Sequence, residues 1–319
     1  MPILGASMDC VVTGGAGFIG SNLVDALLAR GDRVAVIDNL STGKRENLAG
    51  ALAAGAELHE VDTRDAGAVT RVFELVRPQL VFHLAAQIDV RVSVEQPWID
   101  AEINVLGAIN VLEAARAVGA RRLVNTSTGG GLYGDADVMP TPEEYPIRPL
   151  APYGQSKLAA EGYCELYTRV HGLPTVSLRY GNVYGPRQDV HGEAGVVAIF
   201  CGCLLDGRAP RIYGDGLQTR DWVDVADVVA ANLLAADHEI TGPVNIGHGQ
   251  ETSVLDLVDA LRLVGAERGL QLREPVFEPE RLGEVRRSCL GISRARELLA
   301  WSATVSLLEG LARVLSSTN

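Results

Sequence analysis

Cysteine is scarce in this chain and unpatterned. The five cysteines in 319 residues (Cys10, Cys164, Cys201, Cys203 and Cys289) form no CxxC pair and no Cys/His cluster at zinc spacing. A structural zinc site and a disulfide framework are therefore not expected, no metal ligand set is seen, and a reducing compartment fits. Cys201 and Cys203 lie in the apolar run VVAIFCGCLL, where buried packing accounts for them. Blocks of lysine or arginine are missing too: 28 basic residues stand against 40 acidic ones, for a formal net charge of −12. A nucleic-acid or anionic-membrane partner needs a basic patch, so neither is expected, whereas one phosphate group needs only a few local arginines. No apolar run approaches the roughly 20 residues of a membrane span. The strand-like DCVVTGG begins at Asp9 with no signal peptide visible before it. A cytoplasmic location is the expectation. Internal repeats and low-complexity tracts are absent as well.

What is present is a globular composition, 47% hydrophobic and 21% charged, in alternating segments. CVVTGG reads as a short apolar strand, and SNLVDALLAR has its apolar residues at helical spacing up to Gly31. RVAVID, AELHEVD, QLVFHLAA and RRLVNTST follow as further strands, with helices expected over 65–77 and around 99–118. Strands apolar on both faces that alternate with helices imply a doubly wound parallel α/β sheet, with ligands at the carboxyl ends of its strands. Beyond about residue 180 the alternation loosens and Pro and Gly become frequent. The expected organisation is a dinucleotide-binding domain over 1–182, to which about 221–247 returns, and a smaller substrate-binding α/β domain over 183–319.

TGGAGFIG sets Gly14, Gly17 and Gly20 between the first strand and the first helix. Glycine there permits a tight turn and close approach of a pyrophosphate to the helix N-terminus. Asp38 ends the next strand, where a carboxylate accepts from an adenosine ribose and repels a 2′-phosphate; NAD is favoured over NADP, although Lys44 and Arg45 follow closely. Asp62 and Thr63 in VDTRD stand where an adenine edge would lie. Ala85 and Ala86 in HLAAQ let the backbone pass close to a cofactor.

PYGQSKLAAE then places Tyr153 and Lys157 four apart on an expected helix running to about His171, so both side chains share a face. A phenol with an ordinary pKa near 10 is a poor base. A neighbouring ammonium, together with a positive nicotinamide ring, is expected to bring it down towards working pH.

Taken together, TGGAGFIG, Asp38, HLAAQ, the Ser/Thr strand end and PYGQSK resemble the extended short-chain dehydrogenase/reductase family, in its NAD-dependent epimerase/dehydratase group. The similarity extends through RYGNVYGPRQ, GDGLQTRDWVDVADVV, NIGHGQETSV and RLGEVRRSCLG, over essentially the whole chain. The resemblance implies a nucleotide-sugar 4-epimerase with tightly bound NAD, interconverting UDP-glucose and UDP-galactose by transient oxidation at C4. Tyr153 would take the C4 hydroxyl proton, and a strand-end hydroxyl would bridge the transfer. Phe18, Ile19, Asn39, Gln87, Asn104, Tyr180 and Val183 join the cofactor set by the same resemblance. Arg220 and Arg281 are implied for the diphosphate, Glu284 for the uridine ribose, Tyr213 for the base, and Asn182 and Arg91 for the substrate side. Ser288 falls where relatives carry a large or a small residue; a small one implies room for an N-acetyl group at C2. A homodimer through helices near 99–118 and 153–170 is also implied.

The strand end itself reads VNTSTGGGLYG, and Thr128 lies 25 residues before Tyr153, the family spacing of the catalytic hydroxyl. Relatives often have one residue fewer before the Tyr-Gly, which keeps Ser127 as the reserve candidate. Dehydratase and decarboxylase relatives carry acidic residues directly after this position. Here Gly129, Gly130 and Gly131 follow, leaving the space beside the hydroxyl open and free of carboxylates, which favours simple epimerisation. The alternatives are a UDP-glucuronate 4-epimerase or another NAD-dependent nucleotide-sugar dehydratase or reductase. A non-catalytic dinucleotide-binding regulator is disfavoured because both Tyr153 and Lys157 are present.

Overall fold

Strands apolar on both faces must be covered on both sides, and the computed structural model, which describes residues 7–189, 195–280 and 285–317, has this arrangement. The chain divides into two units. The first comprises 7–128, 151–179 and 229–244. Its strands are β1 (Asp9–Thr13), β2 (Arg33–Asp38), β3 (Glu57–Glu60), β4 (Leu80–His83), β5 (Arg122–Thr128) and β6 (Thr175–Tyr180), joined by β11 (Gly242–Ile246) in a seven-stranded sheet of order β3-β2-β1-β4-β5-β6-β11. β1 pairs in parallel with both β2 and β4, so the strand order reverses beside it, and a crevice for ligand is expected at its carboxyl end.

The helices of this unit are α1 (Phe18–Arg30), the short α2 (Ala49–Ala53), α3 (Ala66–Val76), α4 (Val90–Glu95), α5 (Pro97–Ala101), α6 (Gly107–Val118), α8 (Pro152–His171) and most of α10 (Val225–Asp237). α3 starts where Asp65 accepts from the Ala68 amide at 2.9 Å, a side-chain cap on an otherwise orphaned donor. Val11, Ile37, Val81 and Leu123 of the strands pack with Val69, Phe73, Val111 and Leu112 of the helices into one core. The single helix expected around 99–118 is instead α5 and α6 joined through a π-helical turn, Glu102–Leu106. Apolar periodicity does not reveal such a turn, within which buried Asn104 lies.

The second unit comprises 129–150, 180–228 and the described residues of 245–319. It contains α7 (Gly129–Tyr133), β7 (Asn182–Tyr184), α9 (Val196–Leu205), β8 (Arg211–Tyr213), β9 (Thr219–Arg220), β10 (Trp222–Asp224), β12 (Thr252–Ser253), α11 (Val254–Ala266), β13 (Val276–Glu278), α12 (Ser293–Leu299) and α13 (Leu307–Ser317). Its strands form two-stranded pairs, β7 with β10, β9 with β12 and β8 with β13. Ser253 and Asp256 cap α11 reciprocally. α9, α11 and α13 bury Phe200, Leu204, Leu257, Leu261, Leu311 and Val314 together, and Cys201 and Cys203 pack in the same core. Burial pushes the Cys201 thiol up to about 12, which makes it a small inert hydrophobe. No helix among the described residues is long and apolar enough to cross a membrane.

Candidate active site

The glycine loop after β1 is built by close backbone approach. Gly14 has φ +69°, and a Cβ there would stand 2.6 Å from the Ala85 amide nitrogen, so the loops after β1 and β4 meet main chain to main chain. A Cβ at Gly20 would collide with the Gly14 carbonyl oxygen. Helix α1 has Gly17 as its N-cap with no side-chain cap and no acidic residue in the first turn. The amides at Phe18 and Ile19 therefore begin a helix that carries no anion of its own, which fits a bound pyrophosphate.

Asp38 is buried at the end of β2, its Oδ2 accepting from the Ala16 amide and its Oδ1 from the Leu40 amide, both at 2.9 Å. These bonds tie the carboxylate to the glycine loop and leave each oxygen a lone pair for a ribose hydroxyl. NAD thus fits this cradle. Asp62 is occupied differently. Asn39 Nδ2, the Arg64 amide and two Arg64 guanidinium nitrogens donate to its carboxylate at 2.7–3.0 Å, filling its four acceptor positions. The Arg64 side chain is the leading cause that holds Asp62 down at about 2. Thr63 is buried, and its carbonyl accepts from Asn110 Nδ2 at 2.9 Å.

On the other side of the strand-order reversal, the Ala85 amide donates to Thr13 Oγ1 at 3.2 Å, and the same hydroxyl is 2.8 Å from Nδ1 of buried His83. Burial, and then the Lys157 charge, push His83 down to about 3, so it is a neutral imidazole at working pH. The motif HLAAQ contains His83, but nothing in sequence spacing marks it as a partner of Thr13. Ala86 and Gln87 continue the segment, and Asn104 pins it: Asn104 Oδ1 accepts from the Gln87 amide at 2.8 Å while Asn104 Nδ2 donates to the Gln87 carbonyl at 3.0 Å.

Pro152 opens α8, and Tyr153 and Lys157 follow one turn apart. The hydroxyl hydrogen-bonded to Tyr153 is that of Thr128, the last residue of β5. Side-chain alternation turns Ser127 to the other face, where it is buried and its Oγ has no partner among the described residues. Lys157 is buried, and that burial brings its ammonium down to about 8. The Lys157 ammonium is not among the causes that shift the Tyr153 phenol. Burial is the leading cause and raises the phenol to about 12, with the Thr128 hydrogen bond opposing it. Arg91, on α4, is largely exposed and stands 3.7 Å from Asp89.

In the second unit a cavity of about 410 Å³ is lined by Asn182, Phe200, Tyr213, Gln218, Arg220 and Trp222, among others. β7 and β10 hold Asn182 beside Trp222, and the Asn182 amide donates to the Asp221 carbonyl at 2.7 Å. Arg220 Nη1 donates to the Thr219 and Val285 carbonyls at 2.8 Å each, which fixes its guanidinium at the cavity wall. Gln218, absent from the sequence-based set, donates to the Tyr213 carbonyl at 2.9 Å, and its buried Oε1 has no partner among the described residues. Tyr180 ends β6, and Val183 sits in β7. Arg281 and Glu284 lie outside the described residues.

Open space is not what surrounds the glycine run. A Cβ at Gly129 would stand 2.5 Å from Leu290 Cδ2, and one at Gly130 would stand 3.3 Å from Ser288 Oγ. The run is the helical turn α7, whose glycines admit the segment carrying buried Ser288 and Leu290.

Comparison with known proteins matches residues 10–247 to the NAD dependent epimerase/dehydratase family. The chain is 47% identical over 309 residues to a UDP-glucose 4-epimerase of Mycolicibacterium smegmatis, covering 96% of this chain and 97% of that one. Among solved structures, it is similar to the UDP-glucose 4-epimerase of Thermotoga maritima with UDP-glucose, with a TM-score of 0.93, 45% identity and 98% of each chain covered. It is also similar to the Thermus thermophilus UDP-glucose 4-epimerase in complex with NAD, with a TM-score of 0.88, 43% identity, and 97% of this chain and 98% of that one covered.

Proposed function

The chain belongs to the NAD-dependent epimerase/dehydratase family, and from that premise we propose that it inverts C4 of a UDP-hexose, interconverting UDP-glucose and UDP-galactose. The Gly14–Gly20 loop, the α1 N-terminus and Asp38 would hold NAD. When bound, it would supply a reversible hydride acceptor and a positively charged ring. Tyr153 takes the proton of the sugar's C4 hydroxyl at its phenol oxygen and later returns it, and the Thr128 hydroxyl bridges the transfer. Lys157, buried one turn further along α8, is the cation of the pair.

The observation that carries this reading is the Thr128–Tyr153 hydrogen bond at the end of β5, followed by three glycines and no carboxylate. Elimination of water would need an added acid and base there, whereas inversion needs only the phenol and the hydroxyl. The cavity lined by Tyr213 and Arg220 suits a nucleoside diphosphate, with guanidinium for phosphate oxygens. Small Ser288 supports acceptance of the N-acetylated pair. Exposed Val94, Trp98, Leu106 and Val170, on α4, the segment 97–106 and α8, support a homodimer through helices of the first unit.

The test is an assay of UDP-galactose, UDP-N-acetylgalactosamine and UDP-galacturonate without added cofactor. Conversion of the first supports the reading, conversion of the second extends it to the N-acetylated pair, and conversion of the third alone replaces it with a uronate epimerase. If none is converted, the reading fails.

A further inference from the structure

Asp100, on α5, is wholly buried in the first unit and has no part in the chemistry above. Its Oδ1 accepts from Gln87 Nε2 at 2.9 Å and from Asn104 Nδ2 at 3.2 Å. Its Oδ2 is equally buried and has no hydrogen-bond partner among the described residues. A carboxylate oxygen left unpaired in a protein interior is costly and calls for a reason. Asn104 Nδ2 also donates to Ser156 Oγ at 3.0 Å, and Ser156 Oγ donates in turn to the Tyr153 carbonyl at 2.9 Å. A continuous polar chain therefore runs from Asp100 to the backbone that carries the phenol.

We propose that Asp100 is a positioning residue of this site: through Asn104 and Ser156 it holds the Tyr153 backbone, through Gln87 it holds the segment after β4, and it is a buried carboxylate facing the end of α8 that carries Tyr153 and Lys157. The proposal rests on the reading of Tyr153 and Lys157 as the reacting pair.

The groups that face Lys157 come from three elements: Asp100 from α5, Glu161 and Cys164 from α8 itself, and His83 from β4. Glu161 is committed to Arg179, which forks onto it at 3.0 and 2.7 Å with both side chains buried. Burial holds the Cys164 thiol up at about 12, so it carries no charge at neutral pH, and His83 is neutral there too. Asp100, after Cys164 and Glu161, is the remaining group that acts on the ammonium, and one of its oxygens has no hydrogen-bond partner among the described residues. It opposes the burial that brings Lys157 down, and the same charge also raises Tyr153. One buried anion thus favours the cation and disfavours the phenolate.

The experiment compares the pH dependence of kcat in wild type, Asp100→Asn and Asp100→Glu. Removing the charge lets Lys157 lose its proton at lower pH, so the alkaline limb of Asp100→Asn moves to lower pH. Asp100→Glu keeps the charge, and its limb stays with wild type. A residue that merely supported the fold would lower kcat evenly at every pH and leave the limb in place; that result in Asp100→Asn overturns the proposal. Nitrogen-15 NMR titration of the lysine side chains, with the Lys157 signal assigned from Lys157→Met, reads the same shift without turnover. If Asp100→Asn does not fold, Asp100→Ser, whose smaller side chain admits water, is titrated the same way, and an unmoved Lys157 signal overturns the proposal. The underlying reading is checked apart from this by Tyr153→Phe: if that variant still turns over, the assignment of the pair fails whatever Asp100 does.

Discussion

Thr128 and Ser127 are adjacent hydroxyls in opposite situations, one bonded to Tyr153 and the other buried without a partner among the described residues. Thr128→Val should lower kcat by on the order of 10² or more, the usual contribution of a positioned proton-transfer group, while bound NAD remains. Ser127→Ala should retain turnover. Assay of both variants with absorbance of the bound cofactor checks this, and the reverse pattern would place the relay on Ser127. His83 gives a second prediction at this scale. Its folded pKa of about 3 lies below its ordinary value of 6.5, so between those values the unfolded chain holds the extra proton. Stability is therefore full above about pH 6.5 and falls as pH drops toward about 3. Melting temperatures of His83→Gln should decline less than those of wild type from about pH 7 to about pH 5; an equal decline contradicts the assignment. Tyr153 and Lys157 were legible in the sequence because i, i+4 spacing at a helix start is local information. His83 and Asp100 were not, because their partners lie 70 and 13 residues away in Thr13 and Gln87. Nothing short-range distinguishes them from the chain's other acids and imidazoles. The phenol's raised pKa was hidden for the same reason, since burial is a property of the whole fold.

Among the elements, the most informative correction concerns α7. A Gly-Gly-Gly helical turn has poor intrinsic propensity, and the contact of Gly129 with Leu290 explains why the glycine is there. Gly129→Ala should destabilise the protein by about 1–3 kcal/mol, the usual cost of forcing a methyl into filled space. Leu290→Ala destabilises by itself, yet the double variant should recover part of the Gly129→Ala loss. A thermal or denaturant double-mutant cycle measures the coupling, and strict additivity would contradict the contact. The first five sheet strands and α1, α3 and α8 were readable from apolar runs, helical spacing and the glycine stop at Gly31. The π-helical turn between α5 and α6 was not, because it leaves no trace in the apolar periodicity.

On the scale of the whole molecule, the chain is two units: the first carries the glycine loop, Tyr153 and Lys157, and the second a cavity proposed for a nucleoside diphosphate. The proposed dimer gives a prediction through exposed Trp98: wild type should sediment as a dimer, and Trp98→Glu should shift it toward monomer. A wild-type monomer would contradict that use of the face. The central claim is that C4 is oxidised and reduced again within one site, with cofactor that never leaves. Turnover of UDP-galactose deuterated at C4, without added NAD, tests this most directly. The account predicts UDP-glucose with the deuterium still at C4. Loss of the label to solvent, or conversion only when cofactor is supplied and consumed, would contradict it.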